Sequence, residues 1–231
     1  MFKFGDLTLE RVIFEVRFHN GYLYWDNCGK ILRTLSDKWP DLVMREVSPE
    51  RAHLQFGEAE IDMSFSHNRM GTHQDYPKEL GLYKKFTSDS YQIILDTLQI
   101  STLLRVGNRY QYILSHDDTD EVIEFLKTKG FFNISEKIRV LGKKITQPSV
   151  RFVIERDDIS VGVQAGVMNR SLEISLPKPI KVDMSAFVER GISIDVDFFS
   201  TKIVERGTFG VEEFITTQEK NAGKVIEKLF V

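Results

Sequence analysis

Between Gly191 and Val231 the chain carries its most constraining pattern. Ile192, Ile194 and Val196 alternate with Ser193, Asp195 and Asp197, the period of two that marks a strand with one buried face. Val211, Phe214, Ile215, Ala222, Val225, Ile226 and Leu229 then recur at spacings of three, four and seven. This predicts a long amphipathic helix over about 209–230, with Thr208 as its cap. So wide an apolar stripe is buried only against a broad surface, and an amphipathic sheet supplies one. The rest of the chain is therefore expected to build that sheet.

The order of elements agrees with this expectation. Alternation over Val12–Phe18 predicts a first strand, ended by Asn20-Gly21. A second amphipathic helix is expected over about 26–39, with Cys28, Ile31, Leu32, Leu35 and Trp39 on one face. Asp26 or Asn27 would start it and Pro40 would stop it. Strands are read at 42–47, 53–56 and 61–65, and the polar run 66–82 is read as a long loop. Further strands are read at 82–87, 91–95 and 103–114. A short helix over about 118–129 is capped by Asp117 or Asp118 and closed by Lys127, Lys129 and Gly130. Strands at 131–141, 150–155, 159–167 and 172–176 follow, parted by turns such as Asp157-Asp158 and Asn169-Arg170, as in an antiparallel meander. Runs of strands between isolated helices define an α+β protein with antiparallel sheet, not alternating βαβ units. A boundary near 117–130 divides the chain into halves 1–116 and 117–231, with one continuous domain as the alternative.

Composition narrows the class. The 231 residues are 42% hydrophobic and 28% charged, as in a globular protein, with a formal charge of −3 that draws it to no polyanion as a whole. Cys28 is the single cysteine, which excludes an intramolecular disulfide framework and a cysteine-rich zinc site. The start of the chain has no secretory pattern, and no apolar window approaches a membrane span, so the expected location is the cytoplasm.

Three stretches carry a family resemblance. Val12-Ile-Phe-Glu-Val-Arg-Phe18 leads to a Trp, a helix and Trp39-Pro40; Leu104-Arg-Val-Gly-Asn-Arg-Tyr110 lies mid-chain; Ile194-Asp-Val-Asp-Phe198 precedes the long C-terminal helix. Together they resemble a sporadically distributed prokaryotic family of uncharacterised proteins, known chiefly as a sequence profile. The resemblance implies a bacterial or archaeal cytoplasmic protein with a loose link to defence-associated genes. It transfers no catalytic residue and no cofactor.

Four constellations invite chemistry. His67, His73 and Asp75 in the polar run carry zinc- or manganese-type ligands, although no established metal motif spaces them and a solvated loop explains them as well. Asp195 and Asp197 lie two apart on one strand, so their carboxylates share a face, where they would hold a divalent cation for phosphodiester cleavage or simply mark the solvent side. Lys137, Arg139, Lys143, Lys144 and Arg151 form a basic tract suited to phosphates, with Tyr110 and Tyr112 as stacking platforms if they lie near. Arg105 and Arg109 would clamp a carboxylate or phosphate, or pair with acids on the next strand. Phosphate loops and nucleophile elbows are missing. The reading that survives is a non-enzymatic protein-interaction module that binds a partner protein and self-associates as a dimer through exposed strand edges. The alternatives are a metal-dependent phosphodiesterase or nuclease, or a nucleic-acid-binding protein.

Overall fold

The structure, a computed structural model, describes residues 4–19, 21–57, 60–131, 145–171 and 188–230. Among these residues it is an α+β protein with a nine-stranded antiparallel sheet and four α-helices. The strands are β1 (Thr8–Arg17), β2 (Leu42–Val47), β3 (Arg51–Phe56), β4 (Ile61–Ser66), β5 (Arg69–Asp75), β6 (Thr102–Leu103), β7 (Arg105–Ser115), β8 (Ser149–Ile154), β9 (Ile159–Ser171), β10 (Val188–Ser200) and β11 (Val204–Glu205). The helices are α1 (Leu23–Lys38), α2 (Gly81–Thr97), α3 (Thr119–Thr128) and α4 (Val211–Phe230). Across the large sheet the order is β2-β3-β4-β5-β1-β7-β10-β9-β8, while β6 and β11 form a separate pair. β7 pairs with β10 from Gly191 to Phe199, so one sheet takes strands from both halves of the chain.

Alternation decides which face is buried. Val12, Phe14 and Val16 of β1, Val106 and Tyr110 of β7, and Ile192, Ile194, Val196 and Phe198 of β10 all point to the helical side and are buried. α1 covers β4 and β3, where Tyr24 meets Phe65 edge-on at 5.8 Å and Trp39 meets Phe56 at 4.9 Å. α2 and α4 pack on each other over the centre, and Phe14, Tyr91, Phe209 and Phe214 form one aromatic cluster there. The Tyr110 hydroxyl donates to the Ile215 carbonyl at 2.9 Å and ties α4 to β7. α3 lies over β9 and β10 and touches α4 through Phe125 and Phe230, 5.3 Å apart.

Several expectations need correction. Residues 82–87 and 91–95 are not strands but part of α2. Its inner face reads Tyr83, Phe86, Thr87, Ser90, Tyr91, Ile94 and Leu95, a helical stripe only when the polar Thr87 and Ser90 are counted as core. The run 66–82 is not one long loop, because β5 occupies Arg69–Asp75. Thr72 points inward there: its hydroxyl bonds the Thr87 hydroxyl at 2.9 Å and donates to the Tyr83 hydroxyl at 3.1 Å, which donates to the Thr72 carbonyl at 3.2 Å. α1 begins at Leu23 with no side-chain cap, and Thr208 lies in a 3₁₀ turn where its hydroxyl donates to the Glu205 carbonyl. Asn169-Arg170 is no turn, since β9 runs through it to Ser171. The Asp118 cap holds: its carboxylate accepts from the backbone N–H groups of Asp120 and Glu121. The strand read at 172–176 and most of the strand read at 131–141 lie outside the described residues.

Candidate functional site

Among the described residues the helices cover one face of the sheet and leave the other face polar. On that open face lie Arg11, Glu15 and Arg17 of β1, Arg105 and Arg109 of β7, and Asp195 and Asp197 of β10. The two candidate pairs meet each other. Arg109 donates through Nε to both Asp195 oxygens, at 2.7 and 2.8 Å, and Arg105 donates to Asp197 at 3.1 Å. The Asp195 carboxylate holds the Arg109 guanidinium charged more firmly, above its ordinary range. Asp197 goes the other way: burial raises its pKa although Arg105 and Arg109 pull it down. Each aspartate is thus paired with a cross-strand arginine of β7.

His67, His73 and Asp75 do not converge. Asp75 is paired with Arg11, with one contact at 2.8 Å, and its pKa is held below the usual carboxylate range by that bond. His73 lies 3.7 Å from Asp62, which also bonds His53 at 2.9 Å, and burial lowers the His73 pKa. His67 sits at the β4–β5 turn, stacked on Trp25 at 5.5 Å. No cluster of three His, Cys, Asp or Glu residues suited to a metal occurs among the described residues. Lys137, Arg139, Lys143 and Lys144 lie outside the described residues; Arg151 is on β8 and exposed. Tyr110 is fully buried beneath α4 and presents no face to a base. Tyr112 is partly buried against the core, and burial pushes its phenol up to about 12.

What remains open is the rim. Among the described residues the sheet ends at β2 on one side and β8 on the other. An unpaired edge presents a row of free N–H and C=O groups, so its protection matters. β2 is blunted: its register slips between Met44 and Glu46, and Arg45 reaches across to Gln55 at 2.9 Å. β8 reads Ser-Val-Arg-Phe-Val-Ile, with a single charge and no proline. Phe152 is 37% exposed, Val153 48% and Ile154 49%. Phe152 and Ile154 pair with Val163 and Val161 and so face the helical side, yet α3 packs on β9 and β10, and no helix among the described residues covers them. The sequence marked a strand here; only the sheet order reveals that it is the last strand among the described residues.

No protein-family model matches the chain, and no curated protein matches it in sequence, so the family resemblance rests on its own residues. Among the described residues no helix is long and apolar enough to cross a membrane.

Proposed function

We propose that the protein is a non-enzymatic interaction module of a prokaryotic cytoplasm that self-associates by adding the β8 edge of one copy to the β8 edge of another. The observation that carries this reading is the apolar, single-charge β8, the last strand of the sheet among the described residues. Its sequence is self-complementary. A two-fold axis through Val153 sets Phe152 of one copy opposite Ile154 of the other, an aromatic–aliphatic cross-strand pair. The same axis sets Arg151 opposite Glu155, so each copy supplies the charge the other needs. Antiparallel pairing about a two-fold axis extends the existing antiparallel sheet without changing its pattern.

The test is mass by light scattering across a concentration series. The parent chain is expected to run at twice 26.8 kDa at high concentration. Arg151→Glu and Glu155→Arg should each give monomer, and the double exchange should restore the dimer. A monomer at all concentrations would refute the reading, and so would a dimer indifferent to both single exchanges.

A further inference from the structure

A second surface stands apart from β8 and depends on different residues. Cross-strand register sets Arg17 of β1 opposite Arg69 of β5 on one side and opposite Arg105 of β7 on the other. Like charges placed directly opposite destabilise a sheet, and strands lie only about 4.8 Å apart. Such a row is stabilised by carboxylates of the protein or by a bound anion lying against it. Two of the three have partners in the protein: Arg17 bonds Glu15 at 2.7 Å and Arg105 bonds Asp197. Arg69 is exposed and has no ion pair among the described residues.

The row opens into a cleft of about 580 Å³. Arg17, Arg51 and Arg69 line it together with Asn68, Glu46 and Glu50. Arg51 is held by Glu46 at 2.8 Å, with both side chains about half exposed, so the pair is weak and easily exchanged for a stronger acceptor. His67, also in the lining, stacks on Trp25 with rings 17° from parallel. Trp25 is 53% exposed and stacks with Tyr22, 66% exposed, at 6.4 Å. The exposed rings reach the cleft through His67, and Arg69 brings to it a guanidinium with no ion pair among the described residues; together they offer one recognition chemistry, phosphate on arginine and base on ring.

The geometry points to a nucleoside-phosphate site in this cleft, with Arg69, Arg17 and Arg51 on the phosphates and the Tyr22–Trp25 pair on the base. Arg105 extends the row for a further phosphate, as in a single strand laid across β5, β1 and β7. The ligand has two sources, a free nucleotide or single-stranded nucleic acid, and the binding arms separate them. Glu46 and Glu50 lower the net charge of the cleft, which favours a short ligand or strand over a duplex.

The experiment is a titration of the full chain at low salt with a fluorescent oligothymidylate, an oligouridylate, and unlabelled ATP and GMP, read by anisotropy and by tryptophan quenching. Saturable binding of a strand, or of a mononucleotide alone, supports the site and names its source. Arg69→Ala and Arg17→Ala should each weaken binding about tenfold, the worth of one charge-assisted contact. For a strand, each should lower the salt slope by about 0.7. Lys202→Ala, on an exposed lysine paired with Asp158, should leave binding as in the parent. Arg69 is exposed, so its variant is expected to keep the parent's circular dichroism spectrum. Failure of every ligand to bind would overturn the inference, as would binding that both arginine variants retain in full. The β8 charge exchanges do not touch this cleft, so the outcome is independent of the self-association reading.

Discussion

The crossed pairs on the open face make a prediction that separates a structural ladder from a cation site. Asp195 and Asp197 stand on the same face of β10, yet their surroundings differ. Asp195 receives two contacts from Arg109 Nε at 2.7 and 2.8 Å, and its side chain is 18% exposed. Asp197 receives one from Arg105 at 3.1 Å, and burial already raises its pKa. A hydrogen bond to a charged group contributes roughly 1.5–3 kcal/mol when dry. Because the Arg109 side chain is 43% exposed, solvent screening reduces the Arg109–Asp195 coupling to about 1 kcal/mol. For Arg105–Asp197 the coupling should be about half that, since a single contact at 3.1 Å replaces two closer ones, while the desolvation of Asp197 is a one-residue cost that cancels in the cycle. Asp195→Asn is thus expected to destabilise more than Asp197→Asn, which removes a charge the folded state disfavours. Double-mutant cycles with Arg109→Gln and Arg105→Gln, by urea unfolding at neutral pH and low salt, measure both couplings. Two results would refute the reasoning: a larger cost at Asp197, or an Arg109–Asp195 coupling indistinguishable from zero. The nuclease reading makes the opposite forecast, that manganese raises the thermal midpoint of the parent and not of either asparagine variant.

Two further predictions follow from the geometry. Gly191 of β10 sits at φ +151° with an added Cβ only 1.9 Å from the Leu114 carbonyl oxygen, so Gly191→Ala must push β10 away from β7. A loss of at least about 2 kcal/mol by urea unfolding is expected, and a loss within error would refute the close approach. His73 gives a pH signature, because burial lowers its folded pKa below the ordinary 6.5 against the opposing pull of Asp62. The unfolded state then takes up the proton first, so this contribution to stability is complete above about pH 6.5 and is lost as pH falls through the lowered folded value. The thermal midpoint should fall from about pH 7 to 5.5 more steeply in the parent than in His73→Asn; equal slopes would count against the buried imidazole.

Local pattern alone determined much of this protein. The alternation at Ile192–Val196 and the spacing from Val211 to Ile226 belong to β10 and α4 because each depends on residues near in sequence. The same holds for α3, whose cap needs only Asp118 and the two N–H groups that follow it. α2 and β5 were not legible, and for one reason. Thr72, Thr87 and Ser90 are buried, Thr72 bonding Thr87 and Tyr83 across elements, so their polarity reads as solvent exposure until the partner is known. The candidate residues show the same divide. Sequence placed Asp195 and Asp197 on one face; only the register of β7 against β10 delivered an arginine to each. The arginine row of β5, β1 and β7 and the place of β8 at the end of the described sheet are likewise products of strand order, a long-range property that no local period encodes.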